Sequence, residues 1–125
     1  MRSSEVKEGL LAPKRAKDGV LRFFKNLIDR RFSDAERSID AIKEKEFNRA
    51  EFKEGYIHAL EGTLLSNRSG DDRDFYNKPN MGKEDFERYR KEFLEFVKGE
   101  TRSVFDEGYF SAWADLMHYL YSYEE

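Results

Sequence analysis

Val104-Phe-Asp-Glu-Gly-Tyr-Phe-Ser-Ala-Trp-Ala-Asp-Leu-Met-His-Tyr-Leu-Tyr121 is the stretch whose periodicity decides the fold. Wound at about 100° per residue from Phe105, it gathers Phe105, Tyr109, Ala112, Trp113, Leu116 and Leu120 into one sector. Phe110, Met117 and Tyr121 form a second apolar sector beside the first, and Glu107, Ser111, Asp115, His118 and Ser122 fill the narrow remainder. A surface helix needs an apolar stripe only a little over about 100° wide. This segment is apolar around most of its circumference, so neighbours should cover it on two sides. No Lys or Arg follows Ser103, which fits an enclosed helix. The polar strip, and the lack of an unbroken apolar run of about 20 residues, argue against a membrane span.

At 125 residues the chain is long enough for one domain with a core of its own. Charged residues are 39%, a level that alone would suggest disorder, but 11 Phe, 7 Tyr and 1 Trp supply ample surface to bury. There is no Cys, hence no disulfide and no thiolate chemistry, which suits a reducing cytoplasm. Abundant Lys, Arg and Glu without Cys or Gln is a thermophile-like bias. Met1–Leu11 has no apolar run of signal-peptide length. The net charge of −3 is unevenly spread, since residues 1–31 carry nine basic and four acidic side chains. That basic stretch either faces an acidic partner such as nucleic acid or lies against acidic neighbours in the same molecule.

Four further helices are predicted upstream. After a short turn around Val6, Leu10 and Leu11, halted by Pro13, a helix over 14–31 buries Val20, Leu21, Phe24, Leu27 and Ile28. A second, over 33–45, opens on Ser33-x-x-Glu36, the form of a capping box, with Phe32 as a staple and Ala35, Ile39 and Ile42 facing inward. A third spans 48–67, with Phe52, Tyr56, Ala59, Leu60, Thr63 and Leu64 on one stripe. A long polar connection over 67–82 follows, in which Phe75 and Tyr76 are expected to tuck onto the body. The fourth helix, 83–98, buries Phe86, Tyr89, Phe93, Phe96 and Val97 before Gly99, and the fifth runs over 101–122. No segment alternates like a strand, so the fold is expected to be all-α.

Phe52-x-Glu54-Gly55-Tyr56-x-x-Ala59 recurs as Phe105-x-Glu107-Gly108-Tyr109-x-x-Ala112. Helices two and three therefore read as one αα-hairpin and helices four and five as its copy, with helix one packed against both. Glycine one turn into a helix is disfavoured by up to about 1 kcal/mol against Ala, so a repeated glycine there needs a reason. Close helix crossing at Gly55 and Gly108 supplies one. Arg31-Phe32-Ser33-Asp34-Ala35, with Ile39 and Ile42 following, resembles the second helix of a tetratricopeptide repeat over about half of one unit. That resemblance implies TPR-like hairpin packing and protein binding rather than chemistry.

Ser111, Asp115 and His118 share one strip and invite comparison with a hydrolase triad. Ser111 and His118 are seven residues apart, about 10 Å along the axis and beyond hydrogen-bond reach, so the strip reads as solvated polar surface. Asp115-x-x-His118 and Glu54-x-x-x-His58 each offer two metal ligands, yet they do not repeat as a di-metal carboxylate bundle requires, and both histidines read as exposed. Asp71, Asp72 and Asp74 lack EF-hand spacing, and the glycines form no phosphate-binding loop. Glu54 and Glu107 either pair as carboxylates or support helix starts. No catalytic residue, metal or other cofactor is therefore expected.

The remaining signal is surplus aromatic surface. Phe110, Met117 and Tyr121 make a face that either the N-terminal region or another chain must cover. The expected function is a cytoplasmic, non-catalytic helical domain that binds a protein partner or itself. The alternative is nucleic-acid association through Lys14, Arg15, Lys17 and Arg22 on the basic first helix, and a metal-dependent helical-bundle enzyme comes third.

Overall fold

A computed structural model describes residues 3–69, 83–99 and 103–123, and the structural statements below concern those residues. Among them the chain is all-α, with six α-helices and no strand. The helices are α1 (Ser3–Glu8), α2 (Lys17–Ile28), α3 (Phe32–Lys43), α4 (Ala50–Ser69), α5 (Lys83–Lys98) and α6 (Val104–Tyr123). α1 ends at Glu8, well ahead of Pro13, and Pro13 instead heads a 3₁₀ turn, Lys14–Ala16, that leads into α2, which starts later than expected. The expected contacts of Phe75 and Tyr76 lie outside the described residues.

The α2–α3 hairpin turns at a residue the sequence reading passed over. Arg30 has φ 60, and its N–H donates to Leu27 O at 3.1 Å while Arg31 N–H donates to Asn26 O at 2.8 Å. This paired closure is the Schellman arrangement, with an arginine in the left-handed position usually held by glycine. Arg31 then supplies the first helical acceptor of α3, its carbonyl taking Ala35 N–H at 2.9 Å. Because Arg31 takes the cap position, α3 starts one residue early, Phe32 lies inside it, and the Ser33–Glu36 capping box does not form. Phe32 sits instead between the guanidiniums of Arg30 and Arg68, 5.0 and 5.9 Å from its ring centre. Buried Asn67 on α4 donates from Nδ2 to Leu27 O at 3.2 Å, satisfying a carbonyl at the end of α2.

α6 is the centre of the molecule. α6 packs along both α4 and α5 and reaches α2, where Phe24 lies 5.6 Å from Tyr119. Ala112, Leu116, Met117 and Leu120 are buried in one continuous apolar cluster with Val20, Phe23, Phe24 and Leu27 of α2 and with Tyr56 and Leu60 of α4. Its start carries a true cap, Ser103 Oγ accepting Asp106 N–H at 3.1 Å.

α4 and α6 cross where the repeat places its glycines. A Cβ at Gly55 would overlap the carbonyl oxygen of Phe105 and stand 2.9 Å from Tyr109 N. A Cβ at Gly108 would overlap the carbonyl oxygen of Phe52 and stand 2.8 Å from its carbonyl carbon. Each glycine thus meets the backbone next to the other copy's phenylalanine, so the sequence repeat is a pseudo-two-fold crossing. The two expected hairpins are unequal: α5 and α6 form an extensive one, whereas α3 packs chiefly on α2 and touches α4 along a shorter line.

Candidate functional site

The polar strip of α6 is not solvated, contrary to the sequence expectation. Ser111 and Asp115 are each 1% exposed. Asp115 Oδ1 accepts Leu11 N–H at 2.7 Å, and Oδ2 accepts Ala12 N–H at 3.1 Å and Tyr56 O–H at 2.6 Å. Half-buried His118 lies with Nε2 3.2 Å from Val6 O, its ring packed on Gly9. The N-terminal segment is therefore strapped across α6, with Val6, Leu10 and Ala12 buried beneath it. This cover is over a hundred residues away in sequence, and only the apolar Val6, Leu10 and Leu11 signalled it.

Burial raises the Asp115 carboxyl to about 7, while the bonds from Tyr56, Leu11 and Ala12, and the charge of Arg90, pull the other way. The Tyr56 phenol is pushed well up by its burial and by the neighbouring carboxylate. Burial, followed by Arg90, lowers His118. Shifts of this kind often mark chemistry. Here both Asp115 oxygens are engaged by structural donors and the side chain is buried. The group acts as an acceptor that ties the strap, α4 and α6 together.

The other candidate ligands do not converge. Glu54 and His58 are exposed on α4, with His58 against Phe105 and Tyr109 at 5.7 and 6.0 Å. Glu107 takes a forked pair from Arg49 at 3.2 and 3.4 Å. No cluster of three His, Cys, Asp or Glu among the described residues is placed to hold a metal ion. Asp71, Asp72 and Asp74 lie outside those residues.

The second apolar sector of α6 is covered from within. Met117 is 0% exposed, and Phe110 stacks on Phe93 and Phe96 of α5 at 6.2 and 4.8 Å. Tyr121 packs against the central cluster, so Met117 has no surface left for a partner, while Phe110 and Tyr121 are half-buried. The basic residues do stay outside. Lys14, Arg15 and Arg22 are exposed and Lys17 half-buried, and Arg15 makes an exposed ion pair with Glu46 at 3.3 Å.

Among the described residues, one open groove, of about 240 Å³, lies between α3 and α4. Ile39, Leu64 and Leu65 supply its apolar surface, and Glu36, Asp40, Lys43, Glu61 and Arg68 its rim. Two ion pairs span it, Lys43–Glu61 at 2.9 Å and Arg68–Glu36 at 3.7 Å. Leu65 is 70% exposed, well above the 39% of Leu11 and Phe96. Sequence reading missed this site because Leu65 falls one residue off the inner stripe of its helix and drew no notice beside the aromatic α6.

The chain matches no protein-family model, no curated protein and no solved structure. No helix among the described residues is long and apolar enough to cross a membrane.

Proposed function

We propose that this chain is a non-catalytic helical interaction or assembly domain that uses the α3–α4 groove as its binding surface. The observation that carries the reading is Leu65, a large apolar side chain left in water above an apolar floor and ringed by charges of both signs. Burying such a side chain is worth about 1.5–3 kcal/mol, so a partner seated there gains what the isolated chain forgoes. An apolar centre with a charged rim is also the usual anatomy of a protein interface. A photocrosslinking residue at Leu65 tests the proposal in extract of the native cells. The expected product is one crosslinked protein, competed away by excess unmodified chain but not by Leu65→Glu. Absence of a product, or equal yield from a probe at Lys25, overturns it.

A second reading has its own observation, the exposed basic cluster of Lys14, Arg15 and Arg22 with Lys17 beside it. Nucleic-acid association through this face requires binding that weakens steeply with salt and is lost when the four are neutralised. A fluorescent duplex that shows no binding at low salt would remove it.

A further inference from the structure

We infer that the partner in the α3–α4 groove is a second copy of this chain, joined about a two-fold axis that passes close to Leu65 and sets α4 antiparallel to its mate. The inference rests on the interaction reading above and names its occupant.

The argument is one of charge order along a single helix face. Glu61, Leu65 and Arg68 lie four and three residues apart, so they share one side of α4. All three are exposed, and Gly62, between them on the same side, has nothing within 4 Å of where a Cβ would stand. The face is thus an apolar centre with an acid one turn before it, a base one turn after it and bare backbone alongside. A two-fold interface must be complementary to itself. Turning a second α4 antiparallel about Leu65 brings Glu61 of each copy opposite Arg68 of the other, and Leu65 onto Leu65. A parallel arrangement would set like charges against each other.

The groove-spanning pairs extend the match. Glu61 already holds Lys43, and Arg68 already holds Glu36. Across the axis the order becomes Lys43, Glu61, then Arg68 and Glu36 of the second copy, alternating in sign, and the symmetry makes this chain of charges twice. Neither intramolecular pair has to break. The open space at Gly62 lets the two helices approach without displacing a side chain.

Light scattering and sedimentation of the full chain, from micromolar to millimolar concentration, test the inference. A concentration-dependent monomer–dimer equilibrium is expected. Leu65→Glu should raise its Kd by at least about tenfold, since two buried leucines are lost at the centre. Glu61→Arg and Arg68→Glu should each weaken self-association, because each homodimer then carries two like-charge contacts. An equal mixture of these two variants should recover it, because the mixed dimer restores opposite charges at both ends. Circular dichroism confirms that each variant is folded. A chain that stays monomeric throughout, a dimer indifferent to Leu65→Glu, or a mixture that recovers nothing overturns the inference. The Leu65 photocrosslinker separates this failure from that of the parent reading. Purified monomer whose probe captures a different protein, competed as described above, ends the two-fold dimer and leaves the interaction domain standing.

Discussion

Replacing Gly108 by alanine places one methyl group where α6 meets the backbone of α4. The new Cβ overlaps the carbonyl oxygen of Phe52 and stands 2.8 Å from its carbon. No flexible side chain is there to turn aside, so the helices must separate. Overpacking of a tight core costs about 1–3 kcal/mol, and a backbone obstacle belongs at the upper end. Alanine returns up to about 1 kcal/mol through its better helix propensity. The net expectation is destabilisation by about 2 kcal/mol, which for a chain of this size lowers the melting temperature by about 6–10 °C. Gly62→Ala is the internal control. The same methyl enters open space on the same kind of helix, so stability should rise by about 0.5–1 kcal/mol. Urea titration of dilute protein, followed by far-ultraviolet circular dichroism, reads both. If Gly108→Ala is neutral or stabilising, backbone contact at the crossing is not the reason for the repeated glycines.

Other substitutions probe the strap, the turn and the core. Asp115 has its carboxyl raised in the fold to about 7, so the native state holds a proton that the unfolded chain releases near 3.8. Its contribution is full below the unfolded value and is lost as pH rises through about 7. The stability difference between the wild type and Asp115→Asn should therefore shrink by about 2–3 kcal/mol between pH 5 and pH 8, at about 1.36 kcal/mol per pH unit below 7. A difference that stays flat contradicts the assignment. Arg30→Gly removes the strain of a side chain at φ 60, about 1–2 kcal/mol. Set against lost stacking on Phe32 and a freer unfolded chain, it should raise the urea midpoint by the equivalent of about 0.5 kcal/mol. Met117→Ala should cost about 2–5 kcal/mol as a core cavity, measured by the same titration, whereas a solvent-facing methionine would give almost nothing.

Much of this architecture was legible before any coordinates, for identifiable reasons. The α5 boundaries, Lys83–Lys98, follow directly from the Phe86-Tyr89-Phe93 spacing and the stop at Gly99. The glycines at 55 and 108 announced a crossing because a costly residue repeated in context needs a tertiary cause. The failures have causes too. The α3 start was misplaced because Ser33 and Glu36 advertise a local cap, while the left-handed Arg30 sets the boundary from outside. Asp115 and Ser111 read as wet because a helical wheel cannot see a strap folded back from residues 6–12. For Phe110 and Met117 the sequence left open whether the domain or another chain covers them, because a helical wheel does not show that Met117 enters the central cluster while Phe110 stacks on α5. Leu65 was overlooked for the opposite reason, since a leucine next to Leu64 but off the inner stripe has no periodicity of its own and only its exposure makes it conspicuous.

The central claim is that α6 is the enclosed axis of the molecule, crossed by α4 and locked by the Asp115 strap. Native-state amide hydrogen exchange tests it directly. The amides of Ala112–Leu120 should be the slowest in the chain and exchange only through global unfolding, with an opening free energy equal to that from denaturant titration. Exchange in that segment faster than in α3, or at a free energy well below the global value, would contradict it.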